Sequence, residues 1–494
     1  MPTVREITTM CKKGNVQEAY NLAKADLQST PNDVWAQREL GWALYYMIKG
    51  AAEEGNYTKL LESIDELKSL DLLTVDNDNL IFDNVQFKVA EFLRNRLSLE
   101  DLNVSVKLSD LFNRLNDYNF NQSKGHSFLL QSYIKFEAWQ GMADFIDWWD
   151  LDKLSEEDYS PYVTSNGQTI MSLAERAYIA YSKALLSLND AERINAFLPK
   201  MDELMSQHEE MMYPGYFYGK LLLALGRNTD EALNVVIPFV RRKLTEFWVW
   251  QLLADVFVND EEKQLACLLR AVHCRTSETF LGKVRIKLAT LYIRRNQLSY
   301  AHYHIDAVTR CYATQGWRLP HQINNWIHES WFATSTPDSQ DPLDYMTITN
   351  EIICEGAEEA IAVVTYVDPN SRKISMVYGK NRVVSQKLRF KVNVGDILKI
   401  KYVIDGERRI IILTAKKVDL RNNLNYVKSV EGTIDKRSDK DFAFLRSESL
   451  RCFISPNIVR KNNLKNGDSV ESLIVYDFNK KENSWNWVCV TVKK

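Results

Sequence analysis

The sequence contains no pair of cysteines at metal-ligand or redox spacing. Its seven cysteines, Cys11, Cys267, Cys274, Cys311, Cys354, Cys452 and Cys489, are scattered over 494 residues. None forms a Cys-x-x-Cys pair, which speaks against a zinc ribbon and a disulfide framework. Cys267, His273 and Cys274 fall near one another in a helical pattern, but no fourth ligand stands at usable spacing. These thiols are expected as core residues, and no metal is expected. Long apolar runs are also missing. None approaches the roughly 20 residues that span a bilayer, so no membrane partner is expected. The opening stretch MPTVREITTMCKKGNVQEAY lacks the apolar core of a secretion signal, and the expected location is the cytoplasm.

The signatures of catalysis are absent too. There is no Gly-x-x-x-x-Gly-Lys phosphate loop, nucleophile elbow, His-Glu-x-x-His helix or dinucleotide glycine fingerprint. Histidine is rare, with seven in the chain. His302 and His304 sit two apart, on different helix faces, with no acid or cysteine at useful spacing. The expectation is a protein that is not an enzyme and takes no cofactor.

Charge is plentiful but unevenly placed. From residue 351 onward there are 27 Lys and Arg against 18 Asp and Glu, and before it 35 against 47. An overall formal charge of −3 thus hides an acidic body and a basic end. That split points to the carboxyl-terminal part as the functional end.

Up to about residue 333 the apolar spacing is three and four, proline is scarce and strand-like alternation is rare. In LATLYIRRNQLSYAHYHIDAV, Leu288, Ala289, Tyr292, Asn296, Ala301, Ile305 and Val308 fall at offsets 0, 1, 4, 8, 13, 17 and 20. Small residues there let two antiparallel helices approach, and large ones fill the seam. At the start of the chain Gly14, Ala19, Ala23 and Pro31, then Leu40, Gly41 and Leu44, fit the same frame, and LALGRNTDEAL around Gly226 repeats the turn. These segments resemble tetratricopeptide repeats, whose unit is about 34 residues. The resemblance implies a helical solenoid that binds a protein partner. Residues 60–210 look helical but irregular. The aromatic clusters at Trp139, Trp148 and Trp149, and at Phe247, Trp248 and Trp250, are expected to pack between helices.

ATSTPDSQDPLDYMT, residues 333–347, mixes turn formers and reads as a linker. Beyond it the period changes to two, and short strand-like runs continue to the end. VGDILKI and NGDSVES set Gly395 and Gly467 at equivalent positions of a weak internal repeat. KISMV then matches DFAFL, and VVS matches FIS. Each unit offers about five short strands, which suits a five-stranded barrel of the OB type. The expected organisation is α then β: a helical repeat domain over 1–335, a linker over 336–350, a degenerate OB-like barrel over 351–420 and a second barrel over 426–494.

KDFAFLRSESLRCFIS, residues 440–455, spaces its phenylalanines two apart. In a strand Phe442, Phe444 and Arg446 share one face, and Ala443 and Leu445 the other. With Ala443 and Leu445 in the core, two rings and a guanidinium face water. The second unit, about 428–494, resembles a cold-shock domain. KDFAFL stands at that family's first nucleic-acid motif, roughly Lys-Gly-Phe-Gly-Phe-Ile, and CFIS at its second, Val-Phe-Val-His. Gly432 before the first motif and GDSV after the second also fit. Lys436 stands where the family has an outward aromatic, Ser455 where it has histidine, and Asp441 and Ala443 where it has glycines.

The resemblance implies a partner in single-stranded nucleic acid, RNA rather than DNA. Phe442, Phe444 and Phe453 would stack on bases, and Lys436, Arg437, Lys440 and Arg446 would meet phosphates. Trp485 and Trp487 would either extend that surface or seal a joint. Ile374 and Met376 stand for the paired aromatics in the first unit, which makes that copy a spacer or docking barrel. An RNA-recognition motif is set aside, because SPNIVRKNNLKNG is too short for its crossover helix. The expected function is a non-enzymatic adaptor. The alternatives are a pure protein scaffold and a component of a bacterial defence or mobile-element system, which such architectures resemble.

Overall fold

Helix formation begins at Thr3, whose hydroxyl accepts from the Glu6 amide while the Glu6 carboxylate accepts from the Thr3 amide, a reciprocal cap. A computed structural model describes the chain except residues 1, 228, 341–342, 372, 380, 386–387, 389, 406–408, 420–423, 449 and 480–482, and except the side chains of 382–385 and 479. The chain divides into two compact units, Met1–Ala232 and Leu233–Lys494. Among the described residues, no helix is long and apolar enough to cross a membrane.

In the first unit, helices Val4–Lys12, Val16–Ser29 and Val34–Glu54 are joined by short turns. Ala19, Ala23, Leu40 and Leu44 are all buried, so the small and large residues of the sequence pattern line the seams. Trp139 and Trp149 are buried as well, and Trp149 stacks on His126 at 4.4 Å. Among the described residues the helical run is interrupted by a small hairpin, β1 (Tyr162–Val163) with β2 (Thr169–Ile170). Helical periodicity does not show it. Its cause is local, an Asn-Gly turn with Gly167 at φ +76°.

The second unit opens with further helices, among them Phe247–Val256, Glu261–Val272, Glu278–Arg294 and Leu298–Gln315. Ala289, Tyr292, Ala301, Ile305 and Val308 are buried, and Asn296 takes the left-handed turn at φ +55°. Trp250 is fully buried beneath the guanidinium of Arg270. Arg285 is buried too, bound to Glu278 at 2.7 and 2.8 Å and donating to His304 Nδ1 at 3.0 Å. His302 corrects the sequence reading. An acid does stand at useful spacing: Asp306, one turn on, lies 3.5 Å from Nε2. Nδ1 meets the Ser335 hydroxyl at 2.8 Å, and the ring stacks on Phe332. These contacts tie the short helix Ser330–Thr334 to its neighbour.

The stretch expected as linker over 336–350 becomes a helix, Tyr345–Ile353, in its second half. Asp344 caps it by accepting from the Thr347 amide at 3.1 Å. Arg270 holds it on Glu261–Val272 by donating to Thr349 and Asn350 at 3.0 and 3.2 Å. Arg241 donates to the Ile353 carbonyl at 2.8 Å. A composition rich in proline and aspartate signals the loop but not the helix that follows it.

Strands β3 (Glu358–Val367), β4 (Ile374–Tyr378), β5 (Asn381–Ser385), β6 (Ile397–Ile404) and β7 (Ile410–Lys417) form an antiparallel sheet in the order β5-β4-β3-β6-β7. Strands β8 (Val427–Asp435), β9 (Ala443–Arg446), β10 (Arg451–Ile454), β11 (Ser469–Asn479) and β12 (Ser484–Lys493) close into a barrel in the order β10-β12-β11-β8-β9. The two orders are the same, except that in the barrel β10 also pairs with β12, in parallel at Phe453 and Val488.

A turn repeats in atomic detail. The Gly395 amide donates to the Val364 carbonyl and the Val364 amide to Asp396. The Gly467 amide donates to Ile434 and the Ile434 amide to Asp468. Both glycines are left-handed, at φ +90° and +86°. Val364 pairs with Met376, and Ile434 with Leu445. Met376 is therefore the counterpart of Leu445, and Ser375 of Phe444. The expected match of Ile374 and Met376 to the outward aromatics is off by one residue. Both are core residues of the first sheet. The side chains of Val383, Val384 and Ser385, expected to match Phe453, Ile454 and Ser455, lie outside the described residues.

The two sheets share an apolar joint. Val363, Val377 and Ile397 of the first pack with Val427, Leu473, Val475 and Val490 of the second. Tyr426, between them, donates its hydroxyl to the Ile361 carbonyl.

Candidate nucleic-acid interface

The barrel core decides where the rings go. Ala443 and Leu445 of β9, and Cys452 and Ile454 of β10, point inward and are buried. Strand alternation then turns Phe444 and Phe453 outward, directly opposite one another. Phe442, just before β9, joins them. The three ring centroids are 5.7, 5.7 and 6.0 Å apart, in edge and tilted contacts. All three are half-buried rather than flat on the surface, because each ring covers part of the next. None belongs to the barrel core or to the joint between the sheets.

Arg446 lies beyond Phe444 on the same face and binds Asp435 through Nε at 2.8 Å and Nη2 at 2.6 Å. Lys436, Arg437 and Lys440 belong to the loop between β8 and β9 rather than to the ring-bearing strands. Arg437 and Lys440 are exposed, Lys440 beside Asp439 at 3.5 Å, and the Lys436 amide donates to the Asn466 side chain at 3.0 Å. The structure thus gathers Phe442, Phe444, Phe453 and Arg446, with the three loop cations on the segment that leads into them.

Two neighbours escaped the sequence reading. Arg451 pairs with Arg446 across the strands, and its guanidinium lies 3.9 Å over the Phe444 ring. Asp435 sits beside both arginines. Counting back two residues from Phe453 would have placed Arg451 on the ring face.

Behind the rings, a hydrogen bond to Cys452, reinforced by burial, pushes the Cys489 thiol well above its usual range. It stays un-ionised and serves as packing. Among the described residues, no group of three or more His, Cys, Asp or Glu could hold a metal ion. Trp487 packs on the barrel core with Lys428 over its ring at 5.1 Å, and Trp485 packs on the joint. In the first sheet, the face that corresponds to the rings carries Ser375 and Val377. Both are buried, Val377 in the joint.

Residues 428–492 match the family model of S1/CSD-like domain 2 of the TOTE conflict systems. Residues 212–349 match a domain of unknown function, DUF7017. The chain is therefore helical in its amino-terminal part and ends in an S1/CSD-like barrel. A domain of this kind points to nucleic-acid binding or to a part in a conflict system. No curated protein and no solved structure matches the chain.

Proposed function

We propose that the chain is a non-enzymatic, cytoplasmic adaptor. Its carboxyl-terminal barrel binds single-stranded nucleic acid, RNA in preference to DNA, and its helical body binds a protein partner. The observation that carries the reading is the cluster of Phe442, Phe444 and Phe453 on the outer face of an S1/CSD-like barrel, with Arg446 and Arg451 at its edge. Three aromatic rings facing outward are costly in water unless something docks on them, and every unpaired base offers a π-face.

In this reading the helical body is a tetratricopeptide-like solenoid and the first sheet is a second OB-type unit. It does not bind nucleic acid in this reading, because Ser375 and Val377 of its corresponding face are buried, Val377 in the joint. The family name of the barrel supports a place in a defence or conflict system.

A second reading is a protein scaffold. It is favoured by that same joint, where residues of the first sheet pack against the second sheet of the same chain. Fluorescence anisotropy of the full chain with labelled single- and double-stranded oligonucleotides separates the two. The adaptor prefers single strands, with a log–log salt slope of about −0.7 per phosphate contacted. Absence of binding at low salt selects the scaffold.

A further inference from the structure

Arg451 occupies the place where a base would lie on Phe444. Its guanidinium carbon stands 3.9 Å from the ring centroid. Arg446, directly opposite, holds Asp435 at 2.6 and 2.8 Å, whereas Arg451 Nη2 stays 3.9 Å from that carboxylate. Asp435 is therefore committed to Arg446, and Arg451, at the outer limit of an ion pair with that carboxylate, lies over the aromatic face. The Arg451 side chain is 57% exposed, so the side of the guanidinium turned away from the ring is open to solvent.

We propose that Arg451 is a stacking residue of the interface, with an unpaired base lying on the guanidinium plane and that plane lying on Phe444. The inference rests on the nucleic-acid reading and deepens it. A guanidinium is planar and weakly hydrated. It can sit between two π-faces while its N–H edges point sideways toward the phosphates. Asp435 acts through Arg446: by engaging that arginine it leaves Arg451 free to take the layered position. Phe442 and Phe453 then touch bases directly, and Phe444 acts as the floor under Arg451. Lysine keeps the charge but supplies no plane, which makes charge and stacking separable.

The test compares a single-stranded hexauridylate with the same hexamer lacking its bases, on the full-length wild type and on Arg451→Lys. The ratio of the two affinities reports base stacking, and the base-free hexamer alone reports phosphate attraction. The expected result is a ratio lowered about tenfold in Arg451→Lys, with base-free affinity unchanged. An unchanged ratio overturns the proposal and leaves Arg451 a point charge. So does tighter binding of hexauridylate by Arg451→Ala, which would make the guanidinium a cover. A Phe442→Ala, Phe453→Ala double variant is measured in parallel. If its ratio equals that of the wild type, the nucleic-acid reading itself fails, and this inference with it.

Discussion

Phe453 faces Phe444 directly across β10 and β9, and their rings meet at 71° with centroids 6.0 Å apart. The neighbouring pair Cys452 and Leu445 faces the other way and is buried. One strand alternation thus builds the barrel core on one side and the ring cluster on the other. Truncating the rings should consequently affect binding more than folding.

The repeated turn allows a matched comparison. A methyl group on Gly467 meets no atom within 4 Å, whereas one on Gly395 comes within 2.8 Å of Thr491 Cγ2 across the joint. Gly467→Ala should cost about 1–2 kcal/mol, the penalty of a left-handed backbone alone. Gly395→Ala should cost more and should loosen the joint. Thermal melting with hydrogen exchange on β6 and β12 checks this. Equal losses in both variants would contradict the described contact.

Arg270 is the anchor of the helix Tyr345–Ile353. It is 3% exposed, stacks on Trp250 and donates to Thr349 and Asn350. Arg270→Ala should destabilise the second unit by about 2–4 kcal/mol, through lost packing and buried polar groups left without it. Exchange protection in residues 345–353 should fall first. Arg270→Lys should restore little, because the planar stack is lost. Unaltered protection would show that the helix is held by other contacts.

Two buried histidines predict acid sensitivity. Burial, with Arg285 beside it, pushes His304 down to about 3, and burial pushes His126 down to about 4. Both are neutral in the folded chain. Below about pH 6.5 the unfolded chain binds protons that the folded chain refuses. Stability is therefore fully present above pH 6.5 and falls toward pH 4, by up to about 1.4 kcal/mol per pH unit for each histidine. Urea unfolding at pH 7 and pH 5 measures it. Greater stability at pH 5 would contradict the neutral, buried rings.

How far the sequence is legible varies with how local the signal is. Period-two alternation at Phe442, Phe444 and Phe453 predicts the outward rings, because the core residues between them are small or aliphatic. Ala289, Tyr292, Ala301 and Ile305 give the helical seams for the same reason. The helix Tyr345–Ile353 is not legible, since its support comes from Arg270, more than seventy residues earlier. Ile374 and Met376 fall one residue from their expected position, because matching short runs does not fix strand register and the pairing of Val364 with Met376 does. The three loop cations are legible by residue type, whereas Arg451 lies one residue before the CFIS motif and is legible only through strand alternation from Phe453.

Nucleic-acid binding by this barrel turns on the three rings, and the direct measurement is single-stranded RNA binding by the full chain carrying Phe442→Ala and Phe453→Ala, with its melting curve taken alongside. The predicted result is a loss of about 2–5 kcal/mol in binding, from two lost stacking contacts, with the barrel still folded. A folded double variant that binds RNA as tightly as the unaltered chain would contradict the account.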